Sequence, residues 1–335
     1  MTNLETKNPM FGLYMYPFAN EIRERHQDIM WFNHEIKVHK DVQDYMVNMP
    51  RESFELAKTI LQSFVEIEQE VGDIWGSISD WFPHSEIDGA CSTISFAEKA
   101  VHSFFYQQMS DVLNIDPEET QKVQEEVRAI HNKLTYIRSV MSNASENKLL
   151  TLFTLAMIEQ VMLFSNFAML KSFQSNGNNL IPNTISGVDY VINDELIHGE
   201  FASYLFQQLR HESNLTEQQE LSLQIRIARV INEIFVHEND NIDYMFRDVT
   251  GSINGVTPDS LKSFIKQRID SVVVGIGYKS FYNDTDLTIS NWFFKGANSI
   301  KMHDFFIKGT NSYSRKWSEE EFSRIGLNKE LLNDR

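Results

Sequence analysis

Residues 151–170 read TLFTLAMIEQVMLFSNFAML, a run with apolar side chains on nearly every side of a helix and one ionisable residue, Glu159, near its middle. About 20 apolar residues cross a bilayer, but Thr151, Thr154, Gln160, Ser165 and Asn166 interrupt this run, and no second one follows. In a chain of this length, a helix that is apolar all round must be covered on every side by other helices. The sequence therefore predicts an all-α bundle wrapped around a central rod, with a carboxylate buried in it. Composition agrees. Glycine (14) and proline (7) are scarce among 335 residues, so turn formers and helix breakers are too few for a many-stranded architecture.

Helical periodicity covers residues 18–31, 38–48, 51–75, 86–112, 117–143, 145–174, 183–213, 216–247 and 257–280, with turn-forming clusters at 175–179, 251–258 and 283–287. No repeat or linker divides the chain. One helical domain is expected over residues 1–312, followed by a charged, weakly apolar tail at 313–335. The net charge of -17 would repel a phosphate backbone, which argues against a nucleic-acid partner. The single cysteine, Cys91, leaves no internal disulfide and no cysteine-based zinc site. With a polar N-terminus lacking a signal-peptide pattern, these features point to a cytoplasmic protein with no membrane segment.

A charge inside a bundle must be paired or bound to metal, so ionisable residues on apolar helix faces are the informative positions. Glu68 lies on the stripe of Ile60, Leu61, Phe64, Val71 and Trp75, whereas Glu66 and Glu70 point away from it. Lys99, His102 and Tyr106 share a face at spacings of three and four, with Glu98 close to that face. Glu159 sits in the central rod. Glu195 and His198 form a Glu-x-x-His pair preceded by Asp194. Taken singly, each position has an ordinary structural explanation: a capping pair, a buried ion-pair partner, a core tyrosine. Together, carboxylates and histidines on four helices make the pattern by which a helical bundle holds two iron or manganese ions.

The order Glu68, His102 with Tyr106, Glu159, then Asp194-Glu-x-x-His198 resembles the radical-generating small subunit of class I ribonucleotide reductase. So do DIMWFNHEIKVHKDVQDY, DWFPHSEIDGACSTISFAEKAVH, GIGYKSFYND and DFFIKGTNSY, over about residues 10–315. The resemblance implies a ferritin-like bundle and a homodimer that serves a separate large catalytic subunit, with an activating flavoprotein as a further partner. It assigns Glu68, His102, Glu159, Glu195 and His198 to iron or manganese, and Tyr106 to the radical. Leu163, Phe167 and Val191 would form the apolar radical pocket, and a His–Asp–Trp relay would run through Asp194 and Trp31. Two alternatives have the same fold: a helical metal-dependent oxidase or oxygenase, and a non-catalytic paralogue.

Two departures qualify this picture. Where the family has a bridging glutamate three residues before His102, this chain has Lys99. An ammonium there would leave a formal balance of -2 with Glu68, Glu159 and Glu195, so the expectation is at most one ion per chain, or a metal-free site with a modified Tyr106. Glu98, four before His102, is the substitute ligand if the helix is locally overwound; an altered site is the preferred expectation. Secondly, no tyrosine follows Tyr313, whereas the family tail usually carries one.

Overall fold

The computed structural model describes residues 2–294 apart from 9, 11 and 143. The expected tail at 313–335, the domain boundary at 312 and the DFFIKGTNSY segment lie outside the described residues. Among the described residues, α-helices run in the order α1 (Pro17–Asp28), α2 (Arg51–Trp81), α3 (Ser85–Ala97), α4 (Ser103–Val112), α5 (Pro117–Glu126), α6 (Arg128–Ser142), α7 (Lys148–Met157), α8 (Phe164–Lys171), α9 (Pro182–Glu212), α10 (Glu217–Met245) and α11 (Pro258–Gly275). Among the described residues there is no β-strand, only an isolated bridge between Ile253 and Val256. The fold is all-α, as the glycine and proline scarcity requires.

Two π turns interrupt the helical rods. Glu98–His102 joins α3 to α4, and Ile158–Met162 joins α7 to α8. The rod from Lys148 to Gln174 is long and apolar enough to cross a membrane, yet 83% of its most apolar window is buried inside the protein. It is the core helix. α7 packs on α9, α2 packs on α3 and α4, and α10 and α11 cover the α7–α8 rod from the outside.

Buried cations hold the second π turn. An i→i+5 turn leaves carbonyls without their usual helical partners. Lys133 Nζ donates to Met162 O at 2.7 Å and pairs with Glu238 at 2.6 Å, while Arg268 Nε donates to Gln160 O at 2.9 Å. Lys133 and Glu238 are both buried, and Ser165 donates to Glu238 at 2.5 Å.

Three expected helices differ. Residues 38–48 form a short 3-10 turn (Val38–Asp41) and a π turn (Asp44–Asn48) rather than one helix, because their carboxylates cap α9. Asp44 accepts from the Ile181 N–H at 2.8 Å, and Asp41 accepts from the Asn183 and Thr184 N–H groups at 3.2 and 2.6 Å. Those bonds offset the cost of Ile181, whose φ of 51° is unfavourable for a β-branched residue by roughly 1–2 kcal/mol. Helix 117–143 breaks at Val127, whose extended backbone ends α5 and begins α6. Helix 257–280 stops at Gly275; Gly277 has φ 91°, and Asp270 accepts from the N–H groups of Phe281, Tyr282 and Asn283 to hold the loop.

Candidate metal centre

Four rods converge on one buried cluster. α2 supplies Glu68, the first π turn supplies Glu98 and His102, the second supplies Glu159, and α9 supplies Glu195 and His198; all six are fully buried. Glu66 and Glu70, on the opposite face of α2, pair with Arg138 at the surface, as their helical phase requires.

The two histidines organise the cluster. His102 turns Nδ1 toward Glu195 (3.2 Å), Glu68 (3.4 Å) and Glu98 (3.6 Å). His198 turns Nδ1 toward Glu98 (2.8 Å), Glu195 (3.3 Å) and Glu159 (3.8 Å). Glu98 and Glu195 each point one oxygen at either histidine, and Glu68 and Glu159 flank the two ends. Ligand atoms of Glu68, Glu98, His102 and Glu195 lie within 4.8 Å of one another, as do those of Glu98, Glu159, Glu195 and His198.

Lys99 is the correction. Its side chain is 40% exposed and its ammonium pairs with Asp73, outside the cluster. The stem crosses Gly72, where a Cβ would stand 2.4 Å from Lys99 Cγ, so only glycine leaves it this path. The expectation that a lysine ammonium sits among Glu68, Glu159 and Glu195 is therefore overturned. The helix is not overwound but widened: the Ser103 N–H reaches back five residues to Glu98 O, and Ser103 Oγ bonds the same carbonyl at 3.0 Å. With one extra residue in the turn, the position four before His102 faces the cluster and the position three before it faces outward.

The charge inventory changes accordingly. Four carboxylates and two imidazoles converge, a formal -4 with neutral histidines. Burial and the neighbouring Glu98 push Glu68 up, and burial with Glu195 and Glu98 pushes Glu159 up. Burial opposes ionisation of Glu98 too, yet the close approach of Glu68, His102 and His198 holds it well below the usual carboxylate range. Burial likewise opposes charge on the two imidazoles, but the Asp194 hydrogen bond and the facing Glu195 carboxylate raise His102, and the facing Glu159 and Glu195 carboxylates raise His198. Without an ion, protons thus balance the carboxylates. Both oxygens of Glu68, Glu98 and Glu195, one of Glu159, and Nδ1 of both histidines have no hydrogen-bond partner. Such a set of orphaned buried acceptors fits divalent cations.

The far nitrogens of the two rings meet different partners. His102 Nε2 contacts Asp194 Oδ2 at 3.0 Å, and the same oxygen accepts from Trp31 Nε1 at 2.8 Å. His198 Nε2 contacts His26 Nε2 on α1 at 2.8 Å, with the rings stacked at 5.0 Å. Burial pushes His26 down to about 4, so it is a neutral acceptor for the His198 Nε2–H. Metal-binding histidines usually present their second ring N–H to such a partner. Neither His26 nor Trp75, whose indole N–H donates to Glu159, stands out as polar in the sequence. The ring apolarity of Trp75 and the isolation of His26 in α1 conceal them.

Tyr106 is fully buried one turn beyond His102, and its hydroxyl has no hydrogen-bond partner. Burial, then the Glu68 charge, pushes it far above the ordinary phenol value. Its ring stacks on Phe64 at 4.7 Å, and Phe64 stacks on Phe167 at 5.0 Å. Leu163 and Val191 are buried as well.

This convergence of carboxylates and histidines from four helices defines a ferritin-like helical protein with a carboxylate–histidine centre. The model of the family described as "Ribonucleotide reductase, small chain" matches residues 12–289, and the chain belongs to that family. Two African swine fever virus ribonucleoside-diphosphate reductase small chains are similar to it. The Tick/Malawi isolate's protein is 22% identical over 77% of this chain and 76% of its own length, and the Pig/Kenya isolate's is 21% identical over 92% and 90%. Among solved structures, the dimanganese(II) NrdF of Streptococcus sanguinis superposes with a TM-score of 0.74 at 14% identity, covering 87% of this chain and 99% of that one. The Rnr4 homodimer of Saccharomyces cerevisiae gives 0.72 at 17%, covering 91% and 92%. The chain is thus a small subunit of ribonucleoside-diphosphate reductase, an oxidoreductase.

Proposed function

We propose that this chain holds a pair of iron or manganese ions between Glu68, Glu98, His102, Glu159, Glu195 and His198, and that Tyr106 stores the oxidising equivalent as a tyrosyl radical. The observation that carries this reading is Glu98: its burial with both oxygens unpartnered restores the fourth carboxylate, and four carboxylates balance two divalent charges. Glu98 and Glu195 each face both histidines, whereas Glu68 faces His102 and Glu159 faces His198, so all four carboxylates would help to hold the ions. The bound ions would supply, with an oxygen-derived oxidant, the one-electron oxidation of Tyr106.

The remaining chemistry belongs to the protein. Phe64 and Phe167, with Leu163 and Val191 in the same core, keep water and reductants from Tyr106, so a radical there would persist. Burial opposes ionisation of Asp194, yet the facing His26 ring and the His102 hydrogen bond hold its carboxyl below the usual range, so it is an ionised acceptor. As such it orients His102, keeps the Trp31 N–H engaged, and would stabilise positive charge on the indole when an electron is withdrawn. An activating flavoprotein and a cytoplasmic location complete the proposal, both by family resemblance.

Tyr106→Phe tests it. The variant removes one hydroxyl that has no partner, so fold and metal content should be unchanged while the tyrosyl signal and turnover with the large subunit disappear. A wild-type tyrosyl signal in that variant would refute the assignment. Asp194→Asn and Trp31→Phe should keep the Tyr106 signal and lose turnover.

A further inference from the structure

Trp31 is only 3% exposed, so a partner protein cannot touch it. An oxidisable neighbour that reaches the surface would shorten the step by which an electron enters Trp31. Three rings surround the indole among the described residues: His102 stacked at 5.9 Å on the cluster side, Phe105 edge-on at 5.7 Å, and Tyr190 stacked at 5.5 Å with the planes 23° apart. His102 leads inward. Phe105 is fully buried and its phenyl ring is far harder to oxidise than an indole. Tyr190 alone combines an oxidisable ring, face-to-face overlap with Trp31 and partial exposure to solvent.

Its placement is built in. Tyr190 lies four residues before Asp194 on α9, so one helix face carries both the acceptor for the Trp31 N–H and the ring stacked on the indole. The Asp41 and Asp44 caps fix the start of that helix. Gly187, one turn earlier, lets Phe105 close the third side: a Cβ there would stand 2.4 Å from the Phe105 ring.

We infer that Tyr190 is the exit station of the radical path, carrying the oxidising equivalent from Trp31 to the surface that the large subunit covers. The inference rests on the functional reading above, which supplies the oxidant stored at Tyr106. The step is one electron and one proton. An indole radical cation at Trp31, its N–H still on Asp194, takes an electron from Tyr190 and becomes neutral Trp31. The Tyr190 O–H bond breaks, its proton passes to water or to a base of the large subunit, and a neutral tyrosyl radical remains at position 190. No other bond forms or breaks.

Tyr190→Phe is the decisive variant, because it preserves the stacked ring and removes only the oxidisable phenol. The reconstituted full-length protein should show wild-type metal content and Tyr106 radical yield, but turnover with its large subunit should fall to the level of Trp31→Phe. In a second measurement, 3-aminotyrosine replaces Tyr190 and the protein is mixed with large subunit and substrate. An aminotyrosyl signal should rise in paramagnetic resonance as the Tyr106 signal falls, and should not rise when Trp31 is also phenylalanine. A purely packing role for Tyr190 would produce neither result. A normal Tyr106 signal with undiminished turnover in Tyr190→Phe, or with no aminotyrosyl signal, refutes the relay alone. Absence of a Tyr106 signal in the wild-type protein refutes the functional reading and the relay with it.

Discussion

Replacing Glu98 by glutamine tests the register of the first π turn, because the shape is kept and one negative charge is removed. Glu98 reaches both histidines, with oxygens 2.8 Å from His198 Nδ1 and 3.6 Å from His102 Nδ1, so its charge acts on both proposed ion positions. A unit charge about 4 Å from a cation is worth about 4 kcal/mol per unit of cation charge at the effective dielectric of a protein site. For a divalent ion that doubles to about 8 kcal/mol, or roughly a millionfold in affinity; relaxation of the amide and its neighbours would return much of it, so a loss of at least about two to three orders of magnitude is expected. Lys99→Ala removes only a partly exposed pair with Asp73, worth about 0–1 kcal/mol, and should leave the ion count unchanged. Lys99→Glu should likewise add no metal, since its side chain leaves the helix on the Asp73 side. The assay is elemental analysis of protein reconstituted with manganese or iron, combined with competition against a chelator of known affinity. Helix content by circular dichroism serves as the fold control. Wild-type ion count and affinity in Glu98→Gln, or a changed ion count in Lys99→Ala, would refute the register argument.

Three other outcomes follow from the same geometry. Lys133→Met strands the buried Glu238 carboxylate and frees Met162 O, which should cost about 3–5 kcal/mol in denaturant titration; a loss below about 1 kcal/mol would show that the pair does not hold the second π turn. Gly187→Ala drives a methyl into the Phe105 ring and should lower stability by about 1–3 kcal/mol, read as a drop in Tm. In the ion-free protein, the folded values of His102 and His198 are raised above 6.5, so the stability they contribute is fully present below that pH and declines as pH rises through the folded values. Glu68 and Glu159, also raised, act in the same direction from 4.5 upward. Metal loading near neutral pH should therefore release protons, measurable by calorimetry in buffers of different ionisation enthalpy, and proton-neutral binding would contradict the shifts.

Side-chain chemistry and period determined much of this protein without any coordinates. An all-round apolar rod cannot face water, so residues 151–170 required a bundle, and Glu159 required a partner inside it. The phase of α2 separated Glu68 from Glu66 and Glu70, and the spacing on α9 set Asp194, Glu195 and His198 together. These are consequences of one regular helix geometry, and they hold because those helices are regular where the residues sit.

Only the tertiary structure decided between Glu98 and Lys99. Periodicity assumes 3.6 residues per turn, and one i→i+5 turn shifts every earlier position by one residue relative to His102. Nothing local announces that turn. It persists because groups distant in sequence stabilise it: Gly72 leaves room for the lysine stem, Asp73 takes the ammonium, Gln69 donates to Lys99 O at 3.1 Å, and the cluster takes the glutamate. An aliphatic stem with an ammonium can reach water, whereas a carboxylate buried without a cation is costly, so the packed bundle selects the register in which the lysine leaves and the glutamate enters. His26, Trp75 and Tyr190 belong to the same class of decision, since each acquires its place from a ring or carboxylate on another helix or segment.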